Sequence, residues 1–309
     1  MRAIEYERYG DPTVLTLNDR PSRPLEPGEI RVDLRYASVT PLDCKLRAGL
    51  LKAHFSVDFP KVPGRDGAGV ISEIADGISE FSVGDRVCVM AGHGTQGSYA
   101  EERISRAADL VAIPDGLSDA AAASLVNAGL SAHISVFETA RIKPGMKVLV
   151  HAGSGAVGGL IVQLCRHLGA KVTATCRAAN RDYVRSLGAA HAVAYDEEDF
   201  GTLRDQDVVF DLIGGATHAR SYPVLKKGGH LVWLVAAPIV DRNAEFGVTV
   251  TRAMITDAKG PVEAILAMAA SGEVQPQIAD ILPLEDAARA HRMMEAGAVT
   301  RGRLLLART

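Results

Sequence analysis

Three glycines, Gly153, Gly155 and Gly158, stand in the spacing G-x-G-x-x-G within KVLVHAGSGAVGGLIVQLCRHLGAKVTATCRAANRDYV, which begins at Lys147. That spacing alone is weak evidence. It becomes specific for a dinucleotide when a strand leads in, a helix leads out and a second strand follows. KVLVHA is an apolar run of strand length. Val157, Leu160, Ile161, Leu164, Cys165 and Leu168 then recur at helical spacing, and KVTATC follows. The expected chemistry is a pyrophosphate held by backbone. Gly153 allows the tight turn, Gly155 the close approach, and Gly158 the packing of helix on strand. The N–H groups near Ala156, Val157 and Gly158 face the phosphates.

The residues after the second strand choose the cofactor. NAD-binding versions place Asp or Glu there to hold the ribose 2′-OH. This strand ends at Thr175, Cys176 and Arg177 with no carboxylate, and Arg177 and Arg181 bracket the spot. A guanidinium suits a 2′-phosphate through charge-assisted hydrogen bonds. The expected cofactor is NADP(H).

These residues need a scaffold, and the rest of the chain supplies its pattern. KVLVHA, KVTATC, AHAVAY, DVVFDLIG and HLVWLVAA are near-continuous apolar runs, as parallel strands covered on both faces require. Helical stretches separate most of them, which predicts a doubly wound parallel sheet of the Rossmann type. GVTVTRAMI is a candidate sixth strand. The first ~120 residues instead carry short strands and frequent turn signals, as in EIRVDLRYASV, AGVISEIADG and DRVCVM. LSDAAAASLVNAGLSAHISVFETARI reads as helical with Ser118 as its N-cap. The chain closes on the helical stretches PVEAILAMAAS and LEDAARAHRMMEA and the strand RGRLLLA. The fold class expected is α/β: a Rossmann domain plus a β-rich domain.

Bulk properties narrow the partners. The chain has 309 residues, 47% hydrophobic and 23% charged, with a formal net charge of −3. That charge gives no case for nucleic acid or an anionic membrane surface, and the 5% aromatic content gives no base-stacking surface. No uninterrupted apolar run reaches the ~20 residues of a membrane span. The opening MRAIEYERYGDP lacks the apolar core of a signal peptide. The four cysteines, Cys44, Cys88, Cys165 and Cys176, form no CxxC pair. A reducing compartment and a cytoplasmic location are expected.

The chain resembles the zinc-independent quinone oxidoreductases of the medium-chain dehydrogenase/reductase superfamily. The likeness rests on ASVTPLDCKLRAG, VPGRDGAGVI, VGDRV, GSYAEE, NAGLSAH, KPGMKVLVHAGSGAVG, SLGAAHAVAY, VFDLIGG, LKKGGHLV, LPLEDAARAH and RGRLLL, and runs nearly end to end. The resemblance implies a GroES-like catalytic domain formed by both chain ends, with boundaries at 1–119, 120–253 and 254–309. It implies that nicotinamide meets substrate between the domains, and a homodimer paired through the last Rossmann strand. Ser154 to Val157 would line the pyrophosphate. Arg181 and Tyr195 fall where members hold the 2′-phosphate, and Gly214 with Val235 and Ala236 would lie along the cofactor. Ser131 falls beside the nicotinamide ribose or carboxamide. Thr40 stands where many members carry Asn.

The zinc alcohol dehydrogenases of that superfamily ligate metal with Cys, His and Cys. The matching positions here read Thr40, Arg65 and Asn127, so no metal site is expected. His54 and His93 read as surface-loop histidines. Arg65 either pairs with Asp43 at the substrate site, with Asp66 joining, or only packs while Asp43 caps the helix LDCKLRAG. Without a metal, the acceptor must take hydride readily, which points to quinones and α,β-unsaturated carbonyls. Thr40, Asn127 and Ser131 are the polar candidates beside the reacting groups, and Tyr36 reads as a core residue. Two other readings stay open. One is an enoyl-thioester reductase whose carrier phosphate meets Lys45, Arg47 and Lys52. The other is an NADPH-binding protein with little turnover.

Overall fold

The computed structural model describes residues 1–92, 95–235 and 239–308. The first stretch carries β1 (Arg2–Glu5), β2 (Thr16–Asp19), β3 (Glu29–Val39), α1 (Pro41–Arg47), β4 (Asp66–Ile74), β5 (Arg86–Met90), β6 (Glu102–Arg106) and β7 (Leu110–Ala112). Then come α2 (Asp119–His133), β8 (Lys147–Val150), α3 (Ala156–His167), β9 (Lys171–Cys176), α4 (Arg181–Ser186), β10 (His191–Ala194), β11 (Gln206–Asp211) and α5 (Gly215–Ser221). The last are β12 (Leu225–Trp233), α6 (Asn243–Phe246), β13 (Thr249–Arg252), α7 (Lys259–Ala270), β14 (Ile278–Pro283), α8 (Ala287–Glu295) and β15 (Arg303–Ala307).

The chain divides into two compact units, residues 1–127 with 257–270 and 276–309, and residues 128–256 with 271–275. The sequence placed the first division after residue 119. It falls after Asn127 because the start of α2 is tied to the first unit: Arg35 and Arg86 donate to the Asp119 carboxylate at 2.6 and 2.8 Å. Asn127 N–H in turn donates to Asp66 Oδ2 at 3.0 Å. The second expected division, after residue 253, falls after Thr256. Residues 271–275 join the second unit, where Gln163 donates to Gln275 O at 3.2 Å and accepts from Gln275 N at 2.8 Å.

In the first unit a sheet runs β14-β15-β3-β4-β5-β7, with β6 also on β3. Alternate residues of β3, namely Ile30, Val32 and Leu34, enter one core with Ile71, Val87, Val89 and Leu110, as the two-residue side-chain period of a strand dictates. Both chain ends belong to this unit because β15 pairs antiparallel with β3, Leu304 opposite Val39 and Leu306 opposite Ala37. Leu304 and Leu306 share a second core with Ile4, Tyr6, Tyr99 and Leu284. Each such side chain contributes roughly 1.5–3 kcal/mol over exposure.

The second unit is a six-stranded sheet in the order β10-β9-β8-β11-β12-β13, and every pairing in it is parallel. This is the doubly wound order, which reverses between β8 and β11 and opens a crevice at their carboxyl ends. No α-helix links β10 to β11; a single 3-10 turn, Phe200–Thr202, does so. Ser118 caps α2 as expected, accepting from Ala121 N at 3.2 Å. The helical stretch Asp119–Ala140 has the length and apolar composition of a membrane span, although polar residues interrupt its apolar run. Its most apolar part is 72% buried within the protein, as in a core helix.

Candidate functional site

All structural parts of the predicted dinucleotide loop lie in the second unit. After β8 the chain continues as a ladder through His151, whose N–H donates to Phe210 O at 3.0 Å. The His151 ring lies within hydrogen-bond distance of Thr175 Oγ1 (3.2 Å) and Ser221 Oγ (3.0 Å). Burial pushes its pKa down to about 4, so the ring is neutral at physiological pH. Thr175 Oγ1 also accepts from Ala152 N at 3.3 Å, and Thr175 O accepts from Gly153 N at 2.9 Å. Ala152 takes a left-handed φ of 53°, which turns the chain onto the helix.

The glycines divide by what surrounds them. A Cβ on Gly153 would lie 2.6 Å from Ala174 Cβ, and one on Gly158 would lie 2.2 Å from Ala152 O. Both glycines serve internal packing. Among the described residues a Cβ on Gly155 meets only Ala152 O, at 3.4 Å, and no other described atom lies within 4 Å of it. Gly155 is the N-cap of α3 and supplies no side-chain hydrogen bond. The first-turn N–H groups at Ala156, Val157 and Gly158 are therefore available to an anion. Ser154 Oγ accepts from Asn180 Nδ2 at 3.3 Å, which joins the loop to the segment after β9. An open backbone approach beside an uncapped helix start fits a dinucleotide pyrophosphate.

Arg177 lies just beyond β9, exposed, and donates to Tyr195 Oη at 3.1 Å. It has no ion pair among the described residues. Arg181 opens α4 and is held differently, by Glu197 at 2.8 Å and by Glu198. The structure thus brings Arg177, Arg181 and Tyr195 to one corner, and adds two carboxylates. Gly214 takes a φ of 80° at the start of α5, a conformation suited to glycine. Its loop is fixed by buried Asp211, which accepts from Ile213 N at 2.9 Å and Gly214 N at 2.8 Å. Asp211 Oδ2 also meets His218 Nδ1 at 2.7 Å, and His218 Nε2 lies 3.2 Å from Tyr222 Oη. Val235 is half-buried beyond β12. Ala236 and His93 lie outside the described residues.

Comparison with known proteins agrees with this geometry. The model of the "Alcohol dehydrogenase GroES-like domain" matches residues 26–115, and that of the "Zinc-binding dehydrogenase" matches residues 187–306. The chain is 30% identical over 305 residues to the 2-haloacrylate reductase of a Burkholderia species, covering 91% of each. The quinone oxidoreductase of Coxiella burnetii superposes with a TM-score of 0.90 at 29% identity, over 100% of this chain and 99% of that one. The Escherichia coli quinone oxidoreductase complexed with NADPH gives 0.88 at 26% identity, over 99% and 100%. The chain belongs to the medium-chain dehydrogenase/reductase superfamily, in its zinc-independent quinone oxidoreductase group.

In this member of the superfamily, the positions that carry zinc ligands elsewhere do other work. Thr40 is buried and caps α1 in a reciprocal box: its hydroxyl donates to Asp43 Oδ2 at 2.7 Å and accepts from Asp43 N at 3.2 Å, while Thr40 N also donates to Asp43 Oδ2 at 2.9 Å. Burial raises the Asp43 pKa to about 6. Arg65 pairs with Asp257, not with Asp43. The suggested Asp43–Arg65 pair is replaced by the capping alternative, because the Thr40 backbone and hydroxyl donors satisfy the carboxylate locally. Asp66 is buried and accepts from Asn127 N at 3.0 Å, so the contact between these two positions is made by the Asn127 backbone and not by its amide side chain. Ser131 is buried in α2, where its carbonyl accepts from Ser135 Oγ at 2.6 Å. Its own hydroxyl has no protein hydrogen bond among the described residues. A guanidinium cannot ligate a cation, and no group of three or more His, Cys, Asp or Glu is placed to do so among the described residues. Arg47, one of the three cations that a thioester carrier would meet, is 1% exposed and committed to Gly10 O and Glu295.

Sequence reasoning missed Asp211, His218, Glu197, Glu198 and Asp257. The pair EE after AHAVAY was visible, but its partner Arg181 follows the neighbouring strand β9 and meets it only once β9 and β10 pair. Asp211 closes an apolar strand in VFDLIGG, which marks it, yet its partner His218 appears only when α5 turns back.

Proposed function

We propose that this chain is an NADPH-dependent oxidoreductase that reduces quinones or α,β-unsaturated carbonyls without zinc. The observation that carries the reading is the open, uncapped start of α3 above Gly155, with Arg177 exposed beyond β9 where a carboxylate would select NAD. NADPH supplies hydride from C4 of its nicotinamide. The residues of this chain bind and orient. The N–H groups of Ala156 to Gly158 take the pyrophosphate, and Arg177 and Arg181 with Tyr195 take the 2′-phosphate. Asp211 holds the Gly214 loop along the cofactor, with Val235 beside it. Ser131 offers its hydroxyl to the nicotinamide ribose or carboxamide. Thr40 has committed its proton to Asp43, so it offers a lone pair and no acid.

Acceptors that spread the incoming charge need no metal. With hydride a quinone becomes a hydroquinone monoanion and an enone becomes an enolate, and water protonates each. Placement of two reactants is itself a large rate effect. The Burkholderia relative is named for reduction of a 2-haloacrylate, also an electron-poor alkene. We further propose a homodimer through β13, the edge strand that pairs on one side with β12. A reducing compartment such as the cytoplasm suits the four buried free cysteines.

The test is absorbance of NADPH and of NADH oxidised by 9,10-phenanthrenequinone in EDTA, with an enone panel beside it. Fast oxidation of NADPH with little of NADH is expected. Preference for NADH removes the arginine assignment. Tight NADPH binding without turnover of any acceptor supports the binding-protein reading instead.

A further inference from the structure

The corner assigned to the 2′-phosphate contains two arginines in opposite situations. Arg177 meets a neutral hydroxyl, Tyr195 Oη, at 3.1 Å. Arg181 is held by two carboxylates, Glu197 at 2.8 Å and Glu198. The acidic turn is fixed, not incidental. Tyr195 N donates to Cys176 O at 3.0 Å, tying the turn to the end of β9. Glu197 N and Glu198 N donate to Ala194 O at 2.9 and 2.7 Å, and Asp196 Oδ1 accepts from Ala178 N at 2.9 Å. Arg181 holds the Glu198 carboxyl below the usual carboxylate range, so it remains charged at neutral pH.

The fold gains little from this arrangement. The Glu197 and Glu198 side chains are 55% and 40% exposed, and exposed ion pairs contribute little stability. The consequence falls on binding. A 2′-phosphate that approaches Arg181 meets two negative charges already on its guanidinium. It must displace them or bind beside them, and either lowers its affinity.

We propose that Glu197 and Glu198 are specificity-determining residues that compete with the 2′-phosphate for Arg181, weaken the NADPH preference, and leave Arg177 as the principal phosphate ligand. This rests on the assignment of the arginines to the 2′-phosphate given above.

The test uses the full chain and two small probes, 2′,5′-ADP and 5′-AMP, which differ only in the 2′-phosphate, with affinities from titration calorimetry. Glu197→Gln with Glu198→Gln keeps the hydrogen-bond acceptors and removes the charge. Its affinity for 2′,5′-ADP is expected to rise about fivefold to tenfold, more at low salt than at high salt, with 5′-AMP within twofold of the parent. Arg177→Ala is expected to lose more 2′,5′-ADP affinity than Arg181→Ala. If the double Gln variant binds 2′,5′-ADP unchanged or more weakly while Arg177→Ala loses affinity, the competition is refuted and the arginine assignment stands. If neither arginine variant changes 2′,5′-ADP binding, the assignment itself fails and the competition with it. A thermal melt of each variant separates loss of fold from loss of binding.

Discussion

Alanine at Gly155 and alanine at Gly158 should fail in different ways, and the difference tests where the pyrophosphate lies. A Cβ on Gly158 would sit 2.2 Å from Ala152 O, 2.8 Å from Ala152 C and 3.1 Å from Gly153 Cα. All three atoms are backbone, so no side chain can swing aside. An ordinary carbon–oxygen contact is about 3.3 Å, so the loop must shift by about 1 Å. Overpacking of this kind costs about 1–3 kcal/mol, offset by up to about 1 kcal/mol of helix propensity gained over glycine. Gly158→Ala should lower the melting temperature by roughly 2–8 °C and weaken NADPH as well. Among the described residues, a Cβ on Gly155 meets one atom, Ala152 O, at 3.4 Å. Its φ of −75° suits alanine, so the entropy gained from the unfolded chain roughly cancels the poorer N-cap. Gly155→Ala should melt within about 2 °C of the parent. Its methyl group would stand in the open approach, however, and losing one charge-assisted hydrogen bond to phosphate weakens NADPH about tenfold to a hundredfold. Melting by scanning fluorimetry and NADPH affinity by fluorescence titration read both effects. A Gly155→Ala protein that binds NADPH within twofold of the parent refutes the pyrophosphate placement.

Three further outcomes follow from single groups. Asp211→Ala strands the Gly214 N–H and the His218 ring in a buried site, while the Ile213 N–H can turn to water, so urea unfolding should report a loss of about 2–4 kcal/mol. His151 has a folded pKa of about 4, below the ordinary histidine value of about 6.5. Its neutral form is the folded one, so this contribution is complete above about pH 6.5 and is lost as pH falls towards 4. His151→Gln should flatten the fall of unfolding free energy across that window by about 3 kcal/mol relative to the parent. Prolonged dialysis against EDTA should leave quinone reduction unchanged; loss of activity restored by zinc would contradict the reading of Thr40, Arg65 and Asn127.

The sequence by itself determined the nucleotide-binding half. Strand, glycine loop, helix and second strand are adjacent in the chain, and their signals are local: apolar runs, helical periodicity and residues without Cβ. The absence of a carboxylate after KVTATC is equally local. β3 was legible because Ile30, Val32 and Leu34 alternate with polar residues at its centre, although the alternation fails at Ala37–Val39, where all three residues are buried. Tertiary structure alone decided the pairings that bring distant residues together. β14 was not anticipated, because most of its residues are exposed and it lacks an apolar run; it exists through its parallel partner β15. The end of the first unit moved into α2 because Arg35, Arg86 and Asp66 hold Asp119 and Asn127. The partners of Arg65 and Arg181 were likewise invisible, since Asp257 lies 192 residues away and Glu197 follows a different strand. Charge pairing depends on distance in space, and a sequence records only distance along the chain.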